Sequence, residues 1–340
     1  MLFFTSVLPV LFAASGLTKA TSIAVRDQDE FFCGWLKELR KNNLTILADN
    51  YEKISGTKEG KSIVDTLKNG GDLTVLAPIN SAFDSKNTHL SPGFIQYNTL
   101  WGNIDNNFRG SGSSLTRRAA ESRSNAPNTF PRQSAAGVTR RQVDRDNYQV
   151  TTVDQFYDLQ STKRNNDRLI LIGRPVGNSR VIDRFSYKQI IVLVIDELTE
   201  LPGTSANLLS QPLIQSAPNG LSKFAKALER TGLDKEFNNG DRLTAFVPLD
   251  EDFKIEGLSD RVLTCLLESY LVFGRIVYST LFSTIPKATA KSGEELHFLY
   301  ENDVNYVSCG KSKHKSIVLR GDVITSNGVV HIIDKPLKCE

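Results

Sequence analysis

Four histidines, His89, His297, His314 and His331, are the only imidazoles in the 340-residue chain, and they are its first candidates for acid-base or metal chemistry. None stands in HExxH, no CxxC pair accompanies them, and no GxSxG elbow supplies a nucleophile. His297 and His314 occupy separate strand or loop contexts with no ligand spacing between them, so no metal and no cofactor is expected. His331 falls at an alternating position in an apolar run, where a packed, hydrogen-bonded ring is the expectation. Cys33, Cys265, Cys309 and Cys339 match no zinc pattern. Their even number fits two disulfides in an oxidising compartment, with three pairings open. Pairing all four would tie Cys33 to the later half of the chain, where the other three lie.

Two positions read as modification sites. Asn43-Leu44-Thr45 is the one N-glycosylation sequon. The dibasic pairs Arg117-Arg118 and Arg140-Arg141 suit a processing protease of the secretory route. Both pairs fall in a segment from Asn106 to Arg145, rich in Ser, Arg, Asn, Gly and Pro and poor in large apolar residues, which reads as a disordered insert. Its eight arginines against Glu121 and Asp144 give it a charge of +6, so the net +3 of the chain belongs to this segment and the rest is about −3. An inert linker and a polyanion-binding arm are its other readings. Its two aromatic residues, Phe108 and Phe130, do not make the aromatic interleaving that would support nucleic-acid binding.

The start of the chain is an uncharged apolar run with Leu2, Phe3, Phe4, Val7, Leu8, Val10, Leu11 and Phe12, followed by Thr18-Lys19-Ala20. It is shorter than the roughly 20 residues of a spanning helix and reads as a cleaved signal peptide over 1–20. No later stretch is apolar enough to cross a bilayer, so no stable membrane insertion is expected after cleavage.

The elements that must position these residues come in two copies. Thr74-Val75-Leu76-Ala77-Pro78-Ile79-Asn80-Ser81-Ala82-Phe83 recurs as Thr244-Ala245-Phe246-Val247-Pro248-Leu249-Asp250-Glu251-Asp252-Phe253. Each copy reads as a buried strand halted by proline, then Asn80 or Asp250 capping the first turn of a following helix that carries Phe83 or Phe253 into the core. Upstream of each lies a helix-period stretch with a glycine stop: Ile63, Val64 and Leu67 before Gly70, and Phe224, Leu228 and Phe237 before Gly240, interrupted at Gly232. Ser259 begins an amphipathic core helix carrying Leu263, Leu266, Leu267 and Tyr270. Each copy closes on an apolar strand ending in aspartate. The later one, Asn327-Gly328-Val329-Val330-His331-Ile332-Ile333-Asp334, opens with a dipeptide that tolerates positive φ and suits a tight turn. The earlier one keeps only Val194-Ile195-Asp196 of that box. Asp196 and Asp334 suit turn or cap hydrogen bonds. The boxes lie 90 positions apart in the later copy and 122 in the earlier, and the 32 extra residues are accounted for by the basic segment.

These two boxes resemble those of the fasciclin-like (FAS1) family, which read approximately TVFAPTNxAF and NGVxHxID. The resemblance covers most of the chain after residue 20. It implies an α+β fold of two tandem FAS1-like domains, over 30–203 and 208–338, each a β-sandwich or wedge of short strands flanked by helices. The link Leu201-Pro202-Gly203-Thr204-Ser205-Ala206 is short enough for the domains to touch. Some animal relatives bind receptors through a Tyr-His pair, and the corresponding stretch here starts Tyr270-Leu271, with leucine in place of histidine. The implied function is secreted, non-enzymatic adhesion or extracellular interaction with a protein or a cell-wall or matrix polysaccharide. A small-ligand carrier and a vacuolar or other endomembrane-lumen protein are the alternatives, because a fold does not fix a function.

Overall fold

The apolar runs that the sequence repeats become the centres of two sheets. In the computed structural model, which describes residues 30–84, 88–104, 122–131, 148–157 and 168–339, β1 (Leu73–Pro78) lies parallel to β7 (Ile190–Ile195), with Leu73 opposite Ile190. The first half adds α1 (30–41), α2 (Thr45–Ser55), α3 (Lys58–Asn69) and α4 (Pro92–Tyr97). Its other strands are β2 (Thr99–Trp101), β3 (Ser122–Pro131), β4 (Tyr148–Tyr157), β5 (Arg168–Gly173) and β6 (Asn178–Tyr187). They run in sequence order from β1 to β7, and the β1–β7 pair closes the ring into a barrel.

The second half repeats this plan. Helices α5 (Ser205–Leu209), α6 (Ser222–Thr231), α7 (Asp234–Asn239) and α8 (Asp260–Glu268) accompany β8 (Leu243–Pro248) and β9 (Leu271–Val272). Then follow β10 (Lys287–Thr289), β11 (Glu295–Glu301), β12 (Val304–Cys309), β13 (Ser316–Ile324) and β14 (Gly328–Ile333). Here β14 is parallel to β8, but the sheet order β10-β11-β12-β13-β14-β8-β9 leaves β9 and β10 as free edges. The chain is α+β as expected, with a closed barrel and an open seven-stranded sheet in place of the expected sandwiches.

Strands alternate their side chains between two faces, so a run buried at every position must serve two cores. β1 and β7 do so: Leu73, Val75, Ala77, Ile190, Val192 and Val194 pack under the helices with Trp35, Leu39, Tyr51 and Leu67. Leu76, Ile191, Leu193 and Ile195 fill the barrel with Leu100, Val153, Ile170 and Ile172. Each fully buried side chain of this kind contributes about 2 kcal/mol. The helix stops fall where the glycines predict them: α3 ends before Gly70, and Gly232, left-handed at φ 72°, separates α6 from α7. The Ser259 hydroxyl accepts from Val262 N–H at the start of α8, as predicted.

Four local expectations are corrected. First, part of the basic insert that reads as disordered is a strand: Ser122–Pro131 is β3, paired consecutively with β4 from Ser122 to Pro127 and again, after a register shift, at Pro131. A long partner strand supplies hydrogen bonds that composition alone does not anticipate. Second, Asn80 and Asp250 do not cap helices that follow them; only a 3-10 turn, Asn80–Ala82, follows the first. Each instead caps a helix that precedes it by about thirty positions. Asn80 Oδ1 accepts from Ile46 N–H at 3.1 Å on α2, and Asp250 Oδ1 accepts from Lys223 N–H at 3.0 Å on α6. Neither helix has a capping side chain at its own N-cap, Leu44 or Leu221, so the box residue supplies the missing acceptor. Phe83 and Phe253 still reach the core.

Third, Asn327-Gly328 is not a positive-φ turn. A Cβ on Gly328 would lie 1.9 Å from the Leu243 carbonyl oxygen, so glycine is required by the close approach of β8. Fourth, the cysteines form one disulfide, Cys309–Cys339, within the second unit, while Cys33 and Cys265 are free and exposed. The expected bridge from Cys33 to the second unit is absent. Exposed positions on α1 and α8 leave those two thiols unpaired, so an even count did not imply complete pairing.

Replacing Asp250 with Ala should lower stability by about 1 kcal/mol through loss of the α6 cap. Gly328→Ala should cost about 3 kcal/mol by forcing β14 away from β8. Urea midpoints of the purified protein would check both, and a Gly328→Ala midpoint equal to wild type would refute the close-approach argument.

Candidate functional site at the domain junction

The motif residues perform the same structural jobs in both units. The Thr74 hydroxyl donates to Gly102 O at 2.9 Å and accepts from Ile104 N–H at 3.1 Å; the Thr244 hydroxyl donates to Arg275 O and accepts from Val277 N–H, both at 2.9 Å. Each threonine thereby clamps the segment leaving the neighbouring short strand. Asp196 Oδ1 accepts from Arg180 N–H and Asp334 Oδ1 from Ile317 N–H, each at 2.7 Å, fixing the strand beside the closing one. The turn or cap bonds expected of both aspartates are replaced by these cross-strand bonds, whose donors lie 16 and 17 positions away on the neighbouring strand. Pro78 and Pro248 end their strands, and Leu249 N–H, just beyond Pro248, still reaches Ile333 O.

Asn327 joins more elements. Its Nδ2 donates to Phe237 O at 3.0 Å and Gly240 O at 2.9 Å, closing the C-terminal end of α7, and its Oδ1 accepts from Ser205 and Thr325. In the first unit strand register places Gln189 at this position, and Gln189 Nε2 donates to Leu67 O and Lys68 O of α3, both at 3.0 Å. The sequence reading missed Gln189. A polar residue directly before the apolar run Ile190–Ile195 was its available signal.

His331 is fully buried, stacked on Phe246 at 5.0 Å between ring centroids. Its Nδ1 accepts from Asp322 N–H at 3.3 Å, and its Nε2 donates to Val277 O at 2.8 Å, which makes it neutral. Burial pulls its pKa below the ordinary value, against the upward pull of Asp322, whose carboxylate lies 4.0 Å away. Asp322, at φ 59°, accepts from Ser279 N–H at 2.7 Å and from the Ser279 hydroxyl at 2.5 Å. Serine, histidine and aspartate are thus neighbours, but the serine donates to the aspartate and both ring nitrogens are committed to backbone. The serine hydroxyl therefore faces the aspartate and not the ring, which is not the serine-to-histidine geometry of a catalytic triad.

The first unit reaches this cluster through β3. Asn125 Nδ2 donates to Thr280 Oγ1 at 3.0 Å and to Asp322 at 3.5 Å. Alongside, Gln149 Nε2 donates to Ser326 O at 2.7 Å, and Ser326 N–H to Gly203 O in the link at 2.9 Å. Arg320 crosses the junction, donating to Arg174 O, Pro175 O and Leu213 O at 2.5–2.7 Å. Burial lowers its pKa to about 10, which leaves it charged at neutral pH. Arg123 pairs with Asp154 in two bonds of 2.7 and 2.9 Å in the same wall. The cavity left between the units is about 30 Å³, room for little beyond solvent. The two units therefore touch, as the short link implied. Arg320, Asp322, Ser279 and Asn125 carried no sequence signal, since each is an ordinary polar residue whose partners lie far along the chain.

The remaining candidates are not gathered here. Asn43 is exposed in the turn after α1 at φ 58°. His297 is half-buried 3.3 Å from Glu295, and His89 and His314 are exposed elsewhere. Tyr270 and Leu271, the counterpart of the receptor motif, are buried. Arg117, Arg118, Arg140, Arg141 and residues 1–20 lie outside the described residues. Among the described residues no His, Cys, Asp and Glu group could hold a metal, and no helix is long and apolar enough to cross a membrane.

Repeated boxes spent on caps and clamps, around a parallel strand pair flanked by helices, define a tandem α+β scaffold. The fasciclin domain family model matches residues 219–339. A fasciclin-like arabinogalactan protein of Phaeosphaeria nodorum is 30% identical over 122 residues, 35% of this chain and 38% of that protein. Fasciclin-1 of Drosophila melanogaster is 28% identical over 222 residues, 53% of this chain and 32% of that protein. The chain thus matches between about a third and two fifths of the length of these relatives. A solved FAS1 domain pair from the insect cell adhesion molecule Fasciclin I aligns over 88% of this chain and 98% of that one, at 18% identity and a TM-score of 0.38. The family match places a fasciclin domain at residues 219–339, the two relatives support reading the chain as a FAS1-domain protein, and two tandem domains fit its length.

The buried neutral His331 sets an expected pH response. Its folded pKa lies below the unfolded value of about 6.5, so its contribution to stability is complete above that pH and is lost as pH falls through the folded pKa. Urea midpoints from pH 8 to 4.5 should fall more steeply for wild type than for His331→Leu, which installs the residue that Leu193 provides in the first unit. Parallel curves would remove His331 as the source.

Proposed function

We propose that the chain is a secreted, non-enzymatic interaction protein that presents two FAS1 domains, 30–203 and 208–338, to a protein or polysaccharide partner outside the cell. Fasciclin domains are generally extracellular and adhesion-related, which supports the location and the class of activity. The observation that supports the non-enzymatic part is the cluster of Ser279, Asp322 and His331, whose side chains are buried and committed to one another and to backbone. The apolar run over 1–20 is the signal that would deliver the protein, and Asn43, exposed in its turn, is the glycan acceptor of this reading. The Arg117-Arg118 and Arg140-Arg141 pairs are its processing sites.

The test is capture from isolated extracellular matrix or cell-wall material by the purified secreted protein, with its N-terminus and intact mass determined in parallel. The expected result is a mature start near Thr21, added glycan mass at Asn43 and retention on the matrix. A protein kept inside the cell with residues 1–20 attached, or one that passes through matrix without retention, would refute the reading.

A further inference from the structure

The two domains differ in one respect that bears on binding. In the first, β2 meets β3 at Leu100 and Asn128, and the ring closes. In the second, the corresponding strands β9 and β10 end the sheet without pairing. They approach at one point, where Lys291 N–H donates to Leu271 O at 2.7 Å. From that zipped end they diverge around a cleft of about 380 Å³, lined by Val272, Phe273 and Arg275 on one side and by Lys287, Ala288 and Thr289 on the other, with Glu295 beside them. This volume is in the range of ligand sites.

The walls of the cleft are strand edges. On β10, Ala290 N–H bonds to Glu294 O and Phe298 N–H to Pro286 O, so the even-numbered residues face β11. By the alternation of antiparallel ladders, the backbone groups of Lys287 and Thr289 face the cleft. On β9, Phe246 N–H bonds to Tyr270 O, so Leu271 and Phe273 face away from β8, and among the described residues Phe273 N–H and C=O have no backbone partner. The backbone groups of Lys287 and Thr289 on one wall and of Phe273 on the other, where Leu271 O and Arg275 O are already engaged, are complementary to another polypeptide backbone. The wall is also fixed in advance, because the Thr244 hydroxyl holds both Arg275 O and Val277 N–H.

Charge selects the occupant. Lys287 pairs with Glu295 at 2.8 Å, and Lys291 pairs with Glu236 and Glu268. Arg275 is exposed at the open end and has no carboxylate within ion-pair distance among the described residues. We propose that this seam is a strand-addition site that takes an extended, carboxylate-bearing segment of a partner polypeptide between β9 and β10, with a carboxylate meeting Arg275. The proposal rests on the reading of the protein as an interaction module, and names the surface and the chemistry of its partner.

The probe is a fluorescein-labelled synthetic peptide of alternating valine and glutamate, seven residues long, titrated into the purified full chain and followed by anisotropy and by amide hydrogen exchange. The expected result is saturable binding, weakened at least tenfold by Arg275→Glu and by exchanging the peptide's glutamates for lysines. Added protection at the amides of Phe273, Lys287 and Thr289 should accompany it. Arg275→Glu alters an exposed side chain and should leave the melting temperature in place; Thr289→Pro, which removes a cleft-facing N–H, should abolish binding. No binding at millimolar peptide, or binding indifferent to Arg275→Glu, overturns the proposal. So does Arg275-dependent binding without amide protection that an acidic oligosaccharide such as polygalacturonate displaces, since that describes an anion site rather than an added strand. The probe is scored on purified protein without matrix, so its failure is distinct from a failure of matrix capture.

Discussion

Each domain depends on laying two strands parallel, side by side, with both faces buried. No hairpin can join parallel neighbours, so each pair needs a crossover, and here the chain travels more than a hundred residues between β1 and β7 and about eighty between β8 and β14 before the pair forms. A pair so placed cannot use water to satisfy what surrounds it, and the motif residues cluster at its ends for that reason. Thr74 and Thr244 hold the segment beyond one neighbour, while Asp196 and Asp334 hold the other. Asn80 and Asp250 bring a helix to the pair's C-terminal end, and Gln189 and Asn327 bring another to its N-terminal end. Gly328 lets the two backbones close. The motifs are thus the terminal fittings of one buried strand pair.

That arrangement explains which parts of the molecule were legible in the sequence. The repeat of Thr74–Phe83 at Thr244–Phe253 was visible because it is local and consecutive, and the helix stops at Gly70 and Gly232 were visible because they are backbone rules. The target of Asn80 was not: its side chain satisfies a helix 34 positions earlier, and a reading that looks to the next residues places the cap on the wrong helix. The closing box of the first domain looked degenerate although Gln189, longer by one methylene than Asn327, performs the same capping. β3 was read as disorder because Ser, Arg, Asn and Pro cannot build a core alone. It is ordered by the strand beside it and by a second domain some two hundred positions away.

The candidate site was less legible than the fold. His331 was correctly expected to be packed, since its place in an alternating apolar strand determines its surroundings. Asp322, Ser279 and Arg320 are brought together only by tertiary structure, and no spacing in the chain relates them. The cysteines show the complementary error. Parity is a property of the sequence, whereas pairing is a property of distance, and only Cys309 and Cys339 come within reach of each other.

The bonds across the junction are mostly from a side chain to a main-chain carbonyl: Arg320 to Arg174 and Pro175, and Gln149 to Ser326. A carbonyl is offered by every residue type. The constraint is therefore one-sided, falling on Arg320 and Gln149 while Arg174, Pro175 and Ser326 can change identity as far as these bonds are concerned, provided the backbone keeps its path. Domains joined in this way can drift apart in sequence and stay docked, and a search for paired substitutions across the boundary would find little trace of a contact that is physically close.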